Sequence, residues 1–226
     1  MGDAIGQVLS LGLAVSLSPV PIIAVVLMLA TPRGRVDGPA FLLGWLVGLG
    51  VVGTVVLLIA GAVGTGAEDG DPEAWVSWVK IALGVALLLL AVKQWRGRPR
   101  AGDTAELPSW MKAIDTLPPG RAGALGVALS AINPKNLVLT IGAAEAIAGT
   151  GASDGAQAVA LALFVVLASL GPGVPVAIAL TMGERSRPLL DELKEWMAAN
   201  NTAIMTVICL LIAAKLAGDG ISGLSA

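Results

Sequence analysis

Four consecutive residues, Asn133, Pro134, Lys135 and Asn136, place a backbone interruption, two amides and an ammonium group in an otherwise apolar stretch. Proline removes a backbone donor and clashes with the preceding turn, so carbonyls about one turn earlier lose their partners. A lysine at membrane depth is costly and marks a polar path or a site. Near the other end of the chain, Ser16-Leu17-Ser18-Pro19-Val20-Pro21 repeats the device with hydroxyls in place of amides. The two stretches nominate a substrate-binding site: Ser16, Ser18, Pro19 and Pro21 from one, and Asn133, Pro134, Lys135 and Asn136 from the other. There Lys135 neutralises a phosphate or carboxylate headgroup, while Asn133 and Asn136 offer amide hydrogen bonds to sugar hydroxyls. The structural alternative is a Lys135 that reaches the surface or caps a helix-end carbonyl. Glu145, further along the same segment, is a candidate for gating or proton coupling, or else an interface marker. Ser169, Pro172 and Pro175 belong to a further break, Gly171-Pro172-Gly173-Val174-Pro175, that either flanks the pathway or permits close packing.

Composition fixes the solvent around these residues. The chain is 56% hydrophobic and only 13% charged, with a mean hydropathy of +0.85, whereas soluble domains carry about 25% charged residues. It reads as an all-α integral membrane protein. The absence of histidine excludes histidine metal sites and imidazole acid–base chemistry. The single cysteine, Cys209, excludes an intramolecular disulfide. No cleavable signal peptide is expected, because Asp3 replaces a basic leader and the first apolar run is too long. Neither a catalytic triad nor a phosphate-cradling glycine loop is present, so no enzyme activity, metal, cofactor or nucleic-acid partner is expected. Any transport must draw on an ion gradient, a substrate gradient or a partner.

Six stretches are long enough to cross about 30 Å of hydrocarbon: 4–29, 39–63, 75–95, 122–148, 155–182 and 198–217. The loops alternate in sign. Arg33 and Arg35, then Arg96, Arg98, Arg100, Lys112 and Arg121, then Arg185, Arg187 and Lys194 fill the first, third and fifth connections. Glu68, Asp69, Asp71 and Glu73, then Asp154, then Asp219 fill the others. Retention of Lys and Arg on the cytoplasmic side puts both termini outside. Lys80 and Lys215 fall near outer helix ends, where a long side chain snorkels to water. At 1.5 Å per residue Lys135 lies about 20 Å in from Arg121 and Ser18 about 21 Å in from Ala4, so both motifs reach the central zone.

The halves repeat: residues 1–98 form one three-helix unit, 99–121 a cytoplasmic connection, and 122–226 a second unit. Ser18-Pro19 answers Asn133-Pro134, Asp37-Gly38 answers Asp154-Gly155, and Trp75 answers Trp196. Three crossings per half is an odd number, so the copies are inverted, with broken first and fourth helices meeting at the midplane as in many secondary transporters. Ser109 is placed to cap a short helix Trp110–Ile114. From Ser186 onward, Leu189, Leu190, Leu193, Trp196 and Met197 share a face opposite Asp191, Glu192 and Glu195; that segment lies in the headgroup layer or leads into the last span. Gly44, Gly48 and Gly53 suit close helix contacts. Trp45, Trp75, Trp78, Trp95, Trp110 and Trp196 read as interface anchors.

The run Ser-Pro-Val-Pro-Ile-Ile-Ala-Val (18–25), the Arg-Gly-Arg at 33–35, Phe41-Leu42-Leu43-Gly44-Trp45 and Asn-Pro-Lys-Asn-Leu (133–137) resemble the peptidoglycolipid-addressing, or sulfolipid-1-addressing, protein family. That family is placed in the lysine exporter (LysE) superfamily. The resemblance implies a six-helix inner-membrane protein of actinobacteria that takes part in moving cell-envelope glycolipids outward, with a homodimer expected. Three functional classes follow: a transporter that exports or flips a membrane lipid, a LysE-like exporter of a small hydrophilic solute, and a non-transporting scaffold for a larger lipid-export machinery.

Overall fold

The computed structural model describes residues 2–66, 72–97 and 118–225, and their secondary structure is helical throughout. In order these are α1 (Gly2–Ser16), α2 (Pro19–Leu29), α3 (Gly34–Gly66), α4 (Pro72–Arg96), α5 (Pro119–Val127) with a π-helical turn Ala128–Ile132, α6 (Pro134–Ala148), α7 (Asp154–Ala168), α8 (Leu170–Met182), a 3-10 turn Gly183–Ser186, and α9 (Arg187–Ser225). The helix expected over 110–114, the acidic loop Glu68–Asp71, Trp110 and the Trp75 side chain lie outside the described residues.

The two proline motifs break their helices as expected. The chain bends by 49° between α1 and α2 and by 63° between α5 with its π turn and α6. Each break has the same local form: an extended residue, Ser18 or Asn133, followed by proline at the first position of the next helix. There the ring's fixed φ suits the helix and its missing N–H is no loss to the new helix. Among the described residues three stretches are long and apolar enough to cross a membrane, or five if each bent pair is one span. The expected span 155–182 is divided at Ser169 into α7 and α8. Pro172 and Pro175 account for the weakness there, since neither can donate to the helix ladder.

α4 lies along α9, α3 against α5, α1 against α6 and α7, and α2 against α8 and α9. The interior holds Leu11, Val15, Phe41, Leu139 and Phe164, while Leu43, Leu58, Leu89, Val159 and Leu211 face outward. An outward apolar surface of this kind is what a lipid environment demands.

Between α3 and α5 the backbones touch. A side chain on Gly44 would strike the Gly123 carbonyl, one on Gly126 the Phe41 carbonyl, and one on Gly48 the Ser130 hydroxyl. Without a hydrophobic drive between helices in lipid, such close approach is what holds them together. Gly53 makes room for Leu161 in the same way.

One expectation is corrected, and of two alternatives left open one is found. Trp45 is fully buried and stacks on Phe41, with ring centroids 6.4 Å apart; it is core, because the glycine seam draws that face of α3 inward. Trp78, Trp95 and Trp196 are exposed, as interface anchors must be. The segment after Ser186 does not form a separate surface helix: α9 is continuous over 39 residues, about 58 Å at 1.5 Å per residue. Leu190 and Met197 pack inward, whereas Leu189 and Trp196 turn out.

Gly126→Ala is expected to destabilise the purified protein by about 2 kcal/mol or more, because the new methyl meets backbone that cannot yield. Gly50→Ala, which meets open space, should be neutral or stabilising by up to about 1 kcal/mol. Thermal unfolding in detergent checks both, and equal behaviour of the two variants would remove the seam.

Candidate functional site

The site begins with carbonyls that proline leaves without donors. In α1, Val15 O would normally accept from residue 19, but Pro19 has no N–H; the Ser18 hydroxyl lies 2.7 Å away and donates instead. Ala14 O, one residue earlier, accepts from Lys135 Nζ at 2.7 Å. Across the second break, the π turn pairs Asn133 N with Ala128 O at 3.2 Å. Leu129 O would then look to residue 134, again a proline, and accepts from Asn136 Nδ2 at 2.9 Å. Asn133 caps α6 by accepting from the Lys135 backbone N–H at 3.1 Å.

These repairs meet each other. Lys135 Nζ also donates to Ser18 Oγ at 2.7 Å, and Ser18 Oγ lies 2.9 Å from Asn136 Oδ1. A hydroxyl carries one hydrogen, so Ser18 accepts from the ammonium and donates either to Val15 O or to Asn136 Oδ1. Ser18, Lys135 and Asn136 are 2%, 2% and 0% exposed, so this arrangement is closed to bulk solvent. The ammonium sits where the α1 macrodipole is negative, which favours it. Among the described residues no carboxylate pairs with it. Dipoles alone thus hold Lys135 Nζ, an arrangement that offsets only part of the cost of burying a charge there.

Not every nominated residue joins. Ser16 turns back to Leu13 O at 2.8 Å, and Ser169 to Val165 O at 2.6 Å. Pro19, Pro21, Pro172 and Pro175 are buried and shape the surrounding helices, and Pro134 is exposed. Gly171, next to Pro172, lets the start of α8 rest on the Ser16 carbonyl, where a side chain would collide. The further break therefore packs on the end of α1.

Glu145 lies elsewhere, about 15 Å along α6 from Lys135. Its carboxylate faces Lys80 Nζ at 3.5 Å, with the two side chains 8% and 19% exposed, while its other oxygen is buried without a partner. Lys80 therefore does not snorkel: it pairs inward. Lys215 pairs with Asp219 at 2.8 Å, and Gln7 Nε2 donates to the same carboxylate oxygen at 3.3 Å. A signal for the first pair was present, since an acid and a base in two apolar helices lower their cost by meeting.

Asn136→Ala should destabilise by about 2 kcal/mol, because the half-buried Leu129 O is left unpaired among apolar helices. Lys135→Met should leave thermal stability nearly unchanged, since the lost bonds are offset by removal of a desolvated charge. A large loss in Lys135→Met would make the lysine chiefly a helix cap.

Searches among characterised proteins and among solved structures gave no significant match. A family model described as Sap, sulfolipid-1-addressing protein, matches residues 8–222, almost the whole chain. The helical membrane architecture and the paired proline breaks at Ser18 and Asn133 thus belong to a member of the sulfolipid-1-addressing protein family.

Proposed function

We propose that the chain is a non-enzymatic transporter of the inner membrane that exports or flips an anionic or glycosylated envelope lipid, using the Ser18–Lys135–Asn136 cluster as its central site. The observation that carries this reading is the placement of Lys135 Nζ, 2.7 Å from both Ala14 O and Ser18 Oγ, with no paired carboxylate among the described residues. A cation held only by dipoles gains when an anionic headgroup arrives, since hydrogen bonds between ionised partners are roughly twice as strong as neutral ones. Its release from Ala14 O also frees the end of α1 to move about the break. Asn133 and Asn136 then meet the sugar or glycerol hydroxyls.

Under this proposal the six crossings form two inverted repeats, α1–α2 with α3 and α4 against α5–α6 with α7–α8 and α9. The packing supports that reading: α3 on α5 answers α7 on α1, and α2 on α9 answers α6 on α4. The positive connections then face the cytoplasm and both termini face outward. The Lys80–Glu145 pair, at the far end of α6, is the gate or proton-coupling element of the cycle. A homodimer and contact with a larger export machinery complete the proposal.

The test is movement of a fluorescent anionic glycolipid between leaflets of reconstituted vesicles. Intact protein should raise the rate at least tenfold above protein-free vesicles, and Lys135→Met should return it to background. No movement by intact protein would favour the scaffold reading, and full movement by Lys135→Met would remove this lysine from the mechanism.

A further inference from the structure

A cavity lies away from Lys135 and does not include it. It has a volume of about 360 Å³ and opens between the α2–α3 elbow and the α8–α9 elbow. Its apolar lining is Val26, Leu29, Ala179, Leu180 and Leu190, of which Val26 and Leu190 are buried. Its rim is polar and charged, with Thr31, Arg35, Glu184, Arg187 and Asp191. The rim charges are not equivalent. Arg187 is held by Glu184 at 2.9 Å and Asp191 by Lys194 at 2.8 Å. Arg35 pairs with no carboxylate among the described residues. Asp37, two positions on, lies on the opposite side of α3.

Arg35 is exposed at the cavity rim, and its guanidinium lies over the α8–α9 elbow. It rests against Gly183, with Nη2 3.5 Å from where a side-chain carbon would stand, and Gly183 has φ +56°, a conformation suited to glycine. We propose that this cavity binds an oxoanion of phosphate or sulfate type, carried by a membrane lipid whose chain lies on the apolar wall, with Arg35 as its principal ligand. A planar guanidinium suits such a group bidentately.

The position gives the site a role. From Ser18 at the central cluster to Ala30 at the cavity, the span along α2 is about 18 Å. α8 runs beside it from Gly171, which touches Ser16, to Gly183. α2 thus joins the cavity to the central cluster and α8 joins it to the end of α1, so the cavity serves as a loading site on the arginine-rich side. This role rests on the transport reading, but the binding itself does not.

Calorimetric titration of the full chain in detergent tests the binding, with short-chain phosphatidylglycerol, short-chain diacylglycerol and sodium sulfate as probes. Phosphatidylglycerol should bind once per chain, Arg35→Gln should weaken it about tenfold, and Arg33→Gln, outside the cavity, should leave it within about twofold. Competition by sulfate at similar concentration would support the oxoanion site and make a soluble anion its source. Equal binding of the diacylglycerol, which has no oxoanion, unchanged binding in Arg35→Gln, or equal losses in Arg33→Gln and Arg35→Gln would overturn the proposal. Binding that depends on Arg35 in a protein that moves no lipid would leave the cavity site standing and sink transport instead.

Discussion

A backbone carbonyl in hydrocarbon has no water to turn to, and this constraint governs the centre of the molecule. Pro19 and Pro134 each deprive the preceding turn of a donor, and each vacancy must be filled from within. Ser18 fills one and Asn136 the other, while Lys135 takes a third carbonyl, Ala14 O. The side chains that repair one broken helix reach the other: Lys135 of α6 caps α1, and Ser18 accepts from Lys135 while its one hydrogen goes either to Val15 O or to Asn136 Oδ1. Two local defects, each unfavourable alone, become one junction.

Packing around the junction follows from small residues. The α3–α5 seam needs Gly44 and Gly126, and the approach of α8 to α1 needs Gly171. Because these contacts are backbone on backbone, they fix the helix ends that present the carbonyls. They hold the bends without supplying polar groups, so the polar chemistry stays confined to a few side chains.

Much of this was legible in the sequence because proline and glycine act locally. The breaks at Ser18 and Asn133, the close contact at Gly44 and the polar role of Lys135 all follow from residue type and spacing. What escaped depends on partners distant in the chain. Trp45 has the composition of an interface anchor, and only its Phe41 partner and the glycine seam make it core. Lys80 resembles a snorkelling lysine until Glu145 arrives from another helix. The segment after Ser186 carries a two-sided pattern whether it lies flat or continues as one long helix. The helix-cap alternative for Lys135 and the site-lining one also use the same residues, and geometry joins them: the lysine is a cap as it stands.

The acceptor for Lys135 is a main-chain atom, and that has a genetic consequence. Replacing the side chain at Ala14 alters bulk at a buried position but leaves the carbonyl in place. Residue-by-residue scanning is therefore blind to this half of the contact, and paired variation between positions 14 and 135 would carry no trace of it. An ester in place of the following peptide link, which weakens that oxygen as an acceptor while leaving every side chain untouched, is the substitution to which the junction would respond.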